Sequence, residues 1–322
     1  MRRRALLAAG LGSACAMPLP CFSQSYPDKP IRILQGFAAG GNADTIARVV
    51  GAEMSKSLGQ PFMVEAQAGA GGTIAAATVA RAKPDGYTLL LATGGHAVAG
   101  ALYNKLNYQT VSDFQMVSTV TFFPFLLVVR GDSPYRSLSD LLKAARADAR
   151  SISYGTAGIG STHHLAGELL VKSAKADMLH VPYRGDAASV TALIGGEVPF
   201  IIAPPTAVMP NIKAGRLRAV ATTGAQRWSL MPDLPTVAEQ GVPGYDVTSW
   251  AGLMAPAGTP RAIVDPLQAA VLKALKAPEV RARLEDMGGE ARGSTPEEMK
   301  AMVGDELKKW TVVVNDAHIP KQ

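Results

Sequence analysis

Loops rich in glycine recur at one point of a repeated pattern, each between an apolar strand-like run and a helix-like segment. In the first half of the chain they follow the runs 31–34, 62–65 and 87–92. In the second half they follow 151–154 and 178–181. Strands that alternate with helices form parallel sheets whose loops meet at one edge. The pattern therefore predicts two α/β units, each with its loops gathered along one side.

Two short apolar segments, residues 122–130 and 248–254, are predicted to be extended crossings between these units. Two lobes joined by two crossings make a hinged clamp, and open α/β sheets bind ligands beyond the carboxyl ends of their strands. The predicted division is residues 24–125 plus 249–295 for the first lobe, 126–248 for the second, and 296–322 for a C-terminal helix that packs on the lobes.

The N-terminus has the order of a secretory signal peptide. Three arginines at positions 2–4 precede an apolar run, and small or polar residues follow it. The run is too short, and too often interrupted by glycine and proline, for a permanent membrane helix. We predict a cleaved signal peptide over residues 1–23.

Removing this leader changes what the composition implies. Both cysteines, Cys15 and Cys21, leave with it, so the mature chain has no thiol for nucleophilic, redox or metal chemistry. The formal charge falls from +6 to +3, because three arginines are lost. The remaining basic residues are scattered along helix faces without interleaved aromatic residues, which argues against nucleic-acid binding.

The loops have the chemistry of an anion site. Helix N-termini present backbone N–H groups and a partial positive charge, and glycines let a ligand approach the backbone closely. Thr93, Ser161 and Thr162 add hydroxyl donors. The first-lobe loops contain no lysine or arginine, which favours a carboxylate over a polyphosphate.

Several candidate residues also have a purely structural interpretation. His96 and His164 stand at loop ends, where a histidine often only bonds the backbone. Arg184 either reaches into the cleft or lies solvated on its rim. Asp44, in the first turn of a helix, is a candidate cap as much as a ligand contact; Asn42 is the other candidate cap.

The motifs of an enzyme are missing from the sequence. There is no Gly-x-Ser-x-Gly elbow, no His-Glu-x-x-His and no phosphate-binding P-loop motif, and Ile74 and His163 occupy the third-glycine places of the two partial dinucleotide fingerprints. His163, His164 and Glu168 imitate a metal pair, but His164 and Glu168 lack a third ligand nearby in sequence. We predict no catalysis, no cofactor and no metal.

Longer motifs resemble the Bug family, the periplasmic receptors of tripartite tricarboxylate transporters. The resemblance covers nearly the whole mature chain and is carried by residues 26–32 (YPDKPIR), 69–72 (GAGG), 84–90 (PDGYTLL), 157–161 (AGIGS), 180–185 (HVPYRG), 213–219 (KAGRLRA) and 234–239 (LPTVAE).

This resemblance implies a two-lobed type II periplasmic-binding-protein fold, each lobe a mostly parallel sheet flanked by helices. It implies a small carboxylate held by the loop 37–41, the loop at Thr93 and the turn at Ser161 and Thr162, with ordered waters between the lobes. Two departures stand out. Ala38 and Ala39 replace the usual prolines, and Ala203 replaces an aspartate suited to a ligand amino group, which favours a less polar organic acid.

The implied protein is a periplasmic monomer that delivers its ligand to a membrane permease. A periplasmic sensor domain is the alternative partner, and a secreted enzyme acting on a small organic acid is the less favoured alternative. The candidate ligand-binding residues are Phe37, Ala38, Ala39, Gly40, Gly41, Asp44, Gly71, Gly72, Thr93, Gly94, His96, Ala157, Gly158, Gly160, Ser161, Thr162, His164, Arg184 and Ala203.

Overall fold

The computed structural model describes residues 26–316 and 318–322, so the predicted signal peptide lies outside the described residues. The described chain folds into two mixed sheets with helices on their faces. The strands are β1 (Ile31–Gln35), β2 (Phe62–Ala66), β3 (Thr88–Thr93), β4 (Phe114–Pro124), β5 (Leu126–Arg130), β6 (Ser153–Thr156), β7 (Leu179–Pro182), β8 (Phe200–Ala203), β9 (Leu217–Thr222), β10 (Thr248–Pro256) and β11 (Glu290–Ala291).

Helices connect most of these strands and close the chain. They are α1 (Asn42–Leu58), α2 (Thr73–Ala80), α3 (Gly95–Leu102), α4 (Leu138–Ala147), α5 (Thr162–Ala174), α6 (Asp186–Gly195), α7 (Pro205–Lys213), α8 (Arg261–Ala274), α9 (Pro278–Asp286) and α10 (Pro296–Asp316). A single 3₁₀ turn, Ala70–Gly72, precedes α2. Within the described residues, no helix combines the length and apolar character needed to cross a bilayer.

The two sheets share a plan. The first has the order β11-β4-β10-β3-β1-β2 and the second β7-β6-β8-β5-β9. In each sheet three consecutive strands are parallel, β2-β1-β3 in the first and β7-β6-β8 in the second, and the remaining neighbours are antiparallel. The predicted two-lobed α/β architecture is confirmed. The parallel half of each sheet is the half whose strands lead into helices; glycine-rich loops follow β1, β3 and β6, whereas only Pro204 separates β8 from α7.

The chain crosses between the two sheets twice, and Thr223 is hydrogen-bonded to both crossings. β4 and β5 are separated only by Phe125, and the return to the first sheet occurs at Val247, just before β10. Thr223 Oγ1 accepts the N–H of Phe125 at 2.8 Å and donates to the carbonyl of Val247 at 2.6 Å. The two crossings are therefore held together by hydrogen bonds at the hinge.

Burial on both faces explains why the strand β5 is apolar throughout. Leu126 and Val128 face one hydrophobic cluster, with residues of α6 and α7, while Leu127 and Val129 face another that also contains residues of α4 and α5. A strand covered by helices on both sides has no polar face to present. In the first lobe, α10 covers β4 and packs on α3.

Helix α1 begins differently from the predicted caps but ends where predicted. Gly41, not Asn42 or Asp44, is its N-cap, and no side chain caps it. The Asp44 carboxylate instead accepts the N–H of Gly40 at 3.0 Å, which holds the preceding loop. Gly59 ends the helix with φ of 70°, as its position after the last apolar residue predicts.

The lobes touch across the cleft. Thr206 of the second lobe donates a hydrogen bond to Asn42 Oδ1 of the first at 3.0 Å. A Cβ built on Gly71 would lie only 2.8 Å from the carbonyl oxygen of Gly160, a contact no real side chain tolerates. The structure is therefore a closed form of the clamp, with two glycine backbones in contact at the cleft.

Candidate functional site between the lobes

The first turns of three helices meet at one small cavity between the lobes. Asn42 and Ala43 begin α1 on the first lobe, while Thr162 and His163 begin α5 and Asp186 begins α6 on the second. All five line a cavity of about 40 Å³. The first N–H groups of a helix have no intrahelical partner and carry its positive partial charge. Backbone donors from both lobes therefore border the same space.

Side chains complete the wall with hydroxyl and apolar groups. Thr93, the last residue of β3, lines the cavity together with Thr162 and the buried Ser249 of β10. The remaining lining residues are Phe37, Phe123, Phe125, Ser161 and Pro204. Among the described residues that line it there is no lysine or arginine. A guest thus meets neutral donors, aromatic surface and a single acid, Asp186.

Ser161 has a structural duty as well as a place in the wall. It is the N-cap of α5, where its Oγ accepts the N–H of His164 at 3.2 Å. The same hydroxyl donates to the carbonyl of Gly158 at 2.6 Å. Since its single hydrogen is already used, Ser161 shapes the loop, and the amides of α5 are the freer donors.

Asp186 is a largely buried acid, one of whose oxygens has no donor. Its Oδ1 is buried and has no hydrogen-bond partner, and its side chain is 16% exposed. His163 Nε2 lies 3.4 Å from this oxygen, but it accepts the N–H of Ala157 at 3.0 Å. Burial raises the pKa of Asp186 to about 7 and lowers that of His163 to about 3, so the imidazole is neutral.

Two larger spaces adjoin the cavity and continue the cleft. One, of about 640 Å³, shares Asn42 and Asp186 with it and is also lined by the predicted residues Gly40 and Gly41. The other, of about 620 Å³, shares Phe37 and Ser161 with it. This second space is also lined by the predicted residues Ala38, Gly71, Ala157, Gly158 and Arg184. The Arg184 side chain is exposed, which places it on the rim.

Four predicted residues lie behind the cleft instead of lining it. Asp44 is buried, and Arg48 pairs with it at 2.8 Å. His96 is buried against Tyr108 and bonds the carbonyl of Thr110 at 2.8 Å. Ala203 is fully buried at the end of β8, and His164 lies under the first turn of α5. Their contacts are those of structural residues.

The other predicted residues lie where the lobes approach each other or at the surface. Gly72 packs on the backbone of Gly36, and Gly160 lies against Gly71. A Cβ on Gly94 would lie 2.9 Å from Thr162 Oγ1 of the other lobe. Ala39 is exposed at the tip of the first loop. Gly94 and Gly160 thus belong to the contact between the lobes, whereas Gly72 packs inside the first lobe and Ala39 lies at the surface.

Sequence reasoning missed eight residues that line the cavity: Asn42, Ala43, Phe123, Phe125, His163, Asp186, Pro204 and Ser249. Treating every first helical turn alike would have found four of them, namely Asn42, Ala43, His163 and Asp186. The others come from the two crossings and from the loop after β8, and only the fold brings these segments together.

A partly buried cluster of two histidines and a glutamate joins α5 and β7. Potential ligand atoms of His164, Glu168 and His180 lie within 4.8 Å of one another, so the pair does have a third potential metal ligand. The two imidazole rings, however, are stacked at 4.4 Å and 29°, and near-parallel rings direct their lone pairs side by side instead of toward one ion. Tyr154 donates to Glu168 at 2.7 Å, and His180 bonds Thr156 at 2.7 Å. Glu168 and His180 are thus each already hydrogen-bonded to a side chain of the second lobe.

Comparison with known proteins shows the family of this chain. The family described as "Tripartite tricarboxylate transporter family receptor" matches residues 46–319. A Pseudomonas sp. (strain P51) protein from the tcbD-tcbE intergenic region is 37% identical over 314 residues, which cover 97% of this chain and 94% of the relative.

Solved structures of periplasmic binding proteins are similar to this chain along most of its length. The R. palustris protein Rpa4515 with adipate has a TM-score of 0.88 and 35% identity, and the match covers 92% of this chain and 100% of that one. The periplasmic binding protein BugD has a TM-score of 0.87 and 35% identity, with the same coverage. The chain therefore belongs to the family of tripartite tricarboxylate transporter receptors, whose members are periplasmic solute-binding proteins.

Proposed function

We propose that this chain captures a small organic carboxylate in the cavity between its lobes and delivers it to a membrane permease. The observation that carries the proposal is that both lobes contribute to the lining of one cavity. Helix first turns from both lobes line it, and no lysine or arginine is among its described lining residues. Backbone amides and hydroxyls bind a compact, singly charged carboxylate well, whereas a polyphosphate usually also recruits cationic side chains.

Closure and binding are coupled in this proposal. A carboxylate that contacts α1 and α5 at once bonds fully only when the lobes are together, so it shifts the population toward the closed form. The hydrogen bonds of Thr223 to both crossings allow the lobes to move about one hinge. The small volume of the closed cavity supports the inference that a guest enters while the lobes are apart.

The likeness to a protein solved with adipate supports a carboxylate ligand for this chain. The proposed site is the cavity with its rim, that is, the first turns of α1, α5 and α6, the hydroxyl of Thr93, and the loop backbone at Gly40, Gly41, Gly71, Ala157 and Gly158. We further propose a monomer, exported by a cleaved N-terminal signal peptide.

We propose no catalytic step. Ser161 and His163 both line the cavity, but they do not form a nucleophile and base pair. The hydroxyl of Ser161 donates to Gly158, and Nε2 of His163 accepts from Ala157. Both groups are engaged in holding the loop between β6 and α5, which supports a binding role.

A thermal-shift screen with matched pairs tests the proposal. Butyrate, benzoate and adipate are compared with their amides, which keep the shape and lose the charge. A ligand at a hundred times its Kd stabilises by about 2.7 kcal/mol, so a binding acid raises Tm by about 5–10 °C. The amides leave Tm unchanged. Equal shifts for an acid and its amide would contradict carboxylate capture.

The partner is tested separately, in the native host. Deleting the gene for this protein abolishes uptake of the acid that gave the largest thermal shift, because the permease then receives no loaded receptor. Loss of a transcriptional response to that acid with uptake intact would instead identify a sensor domain as the partner.

A further inference from the structure

Asp186 is the one charged side chain that borders the cavity within the described residues. It stands at the first position of α6, where the helix N-terminus favours a negative charge. That accounts for an acid at this position but not for its lack of partners. Its Oδ1 is buried without any hydrogen bond.

The side-chain nitrogen that lies beside Asp186 Oδ1 does not donate a hydrogen bond to it. His163 Nε2 is 3.4 Å away, and its lone pair already accepts the N–H of Ala157. A nitrogen in that role carries no hydrogen to give. The nearest side-chain nitrogen of the pocket wall is therefore an acceptor that faces another acceptor.

No lysine or arginine among the described lining residues is available to pair with Asp186. The basic residues nearby in the cleft, Lys213 and Arg283, line the adjoining outer space and not the cavity itself. Arg184 lies exposed on the opposite rim. A buried acceptor without a donor is costly, and a guest that brings a donor removes that cost.

We propose that Asp186 makes the cavity selective for monocarboxylates that carry a hydrogen-bond donor, a hydroxyl or an ammonium group, over dicarboxylates. The inference rests on the proposed function, since it assumes that the amides of α1 and α5 hold the first carboxylate. A second carboxylate beside Asp186 would place two acceptors of the same charge together in a buried site. A donor-bearing guest supplies the hydrogen that Asp186 Oδ1 lacks.

This selectivity changes the expectation drawn from Ala203. The family resemblance implies that Ala203 replaces an aspartate, which favours a less polar acid. In the structure Ala203 is fully buried and does not line the cavity, whereas Pro204 and Asp186 do. The acid that recognises a donor is thus supplied by α6 and not by the loop after β8.

Calorimetric titration at pH 8, where Asp186 is mostly ionised, tests the proposal with ligands of one backbone length. The ligands are butyrate, its 3- and 4-hydroxy and 3- and 4-amino derivatives, and succinate. At least one donor-bearing acid binds wild type ten times more tightly than both butyrate and succinate. An amino acid as the best ligand identifies an ammonium group, and a hydroxy acid identifies a hydroxyl.

Asp186→Asn is the decisive variant. It lowers the affinity for an amino derivative at least tenfold, lowers that for a hydroxy derivative less because the amide oxygen still accepts, and raises that for succinate. Asp305→Asn removes the same charge from an exposed site on α10 and leaves all affinities unchanged. Native-like thermal unfolding of each variant establishes that it is folded.

The outcomes separate the two proposals. Two results would contradict selectivity by Asp186 while leaving carboxylate capture intact. One is that wild type binds succinate as tightly as the donor-bearing acids. The other is that Asp186→Asn leaves the ratio of the affinities for donor-bearing acids and succinate unchanged. If none of these acids binds either protein, and no acid in the thermal-shift screen does, carboxylate capture itself is wrong and the inference goes with it.

Discussion

At the scale of single residues, Asp186 links stability to ligand recognition. Burial raises the pKa of its carboxyl to about 7 from an unfolded value near 4. Between these pH values the folded protein holds a proton that the unfolded chain has released. The stabilisation from this group is therefore present at low pH and is lost as pH rises through 7.

Asp186→Asn is expected to remove this pH dependence. The asparagine stays neutral, so the variant gains stability over wild type as pH rises, by about 1–3 kcal/mol more at pH 8 than at pH 5. Urea denaturation at the two pH values measures the difference. A constant difference between the proteins would show that the carboxyl titrates normally in the folded state.

Ser161→Ala combined with Thr93→Ala tests the hydroxyls of the wall. We expect carboxylate binding to weaken by about 1–3 kcal/mol, because Thr93 loses a donor and Ser161 no longer fixes the amides of α5. Loss of the cap also lowers the free energy of unfolding by about 1 kcal/mol.

The matched control for that experiment is Ser137→Ala, which removes the N-cap of α4 in the second lobe, away from the cavity. It is expected to lower stability by a similar amount and to leave affinity unchanged. Equal affinity in the double variant and wild type would remove these hydroxyls from the site.

At the scale of elements, the closing contact depends on two glycine backbones. Gly71→Ala adds a methyl group that meets the carbonyl oxygen of Gly160 at 2.8 Å when the lobes are together. It is expected to disfavour closure and to weaken carboxylate binding about tenfold, since overpacking of this kind costs on the order of 1–3 kcal/mol.

Gly59→Ala is its matched control. Gly59 has φ of 70°, close to the 64° of Gly71, but a Cβ there meets nothing within 4 Å. Both variants carry the cost of a left-handed residue with a side chain, on the order of 1 kcal/mol, whereas only Gly71→Ala affects binding. A calorimetric affinity equal in the two variants would argue against the glycine contact as part of closure.

Much of this element plan follows from the sequence. Apolar runs followed by glycine-rich loops predicted β1, β2 and β3 to within a residue, and the αL glycine after α1 ended that helix where predicted. The strand β4 was harder to find. Its residues are buried on both faces and include several hydroxyl residues, so neither alternation nor an apolar run marks its start.

The site was predicted less completely than the fold. The loops at Thr93 and Ser161 were found because glycine and hydroxyl residues cluster there. Asp186 was not, because its significance depends on burial and on the lone pair of His163 being occupied, and neither is written in local sequence. Likewise, Phe125 lines the cavity only because the crossing at the hinge passes beneath it.

At the scale of the whole molecule, the two lobes are expected to move about the hinge at Phe125, Thr223 and Val247. Small-angle scattering checks this, with and without a saturating concentration of the acid that gives the largest thermal shift. The radius of gyration is expected to fall on binding, because ligand contacts with both lobes favour the closed form. An unchanged radius at saturation would contradict coupling between binding and closure.

The convergence of helix N-termini from both lobes on one carboxylate is tested most directly by a crystal structure of the complex with that acid. We predict that the ligand carboxylate lies about 2.7–3.2 Å from first-turn N–H groups of both α1 and α5. A carboxylate held by one lobe alone, or by the exposed Arg184 on the rim, would contradict the account.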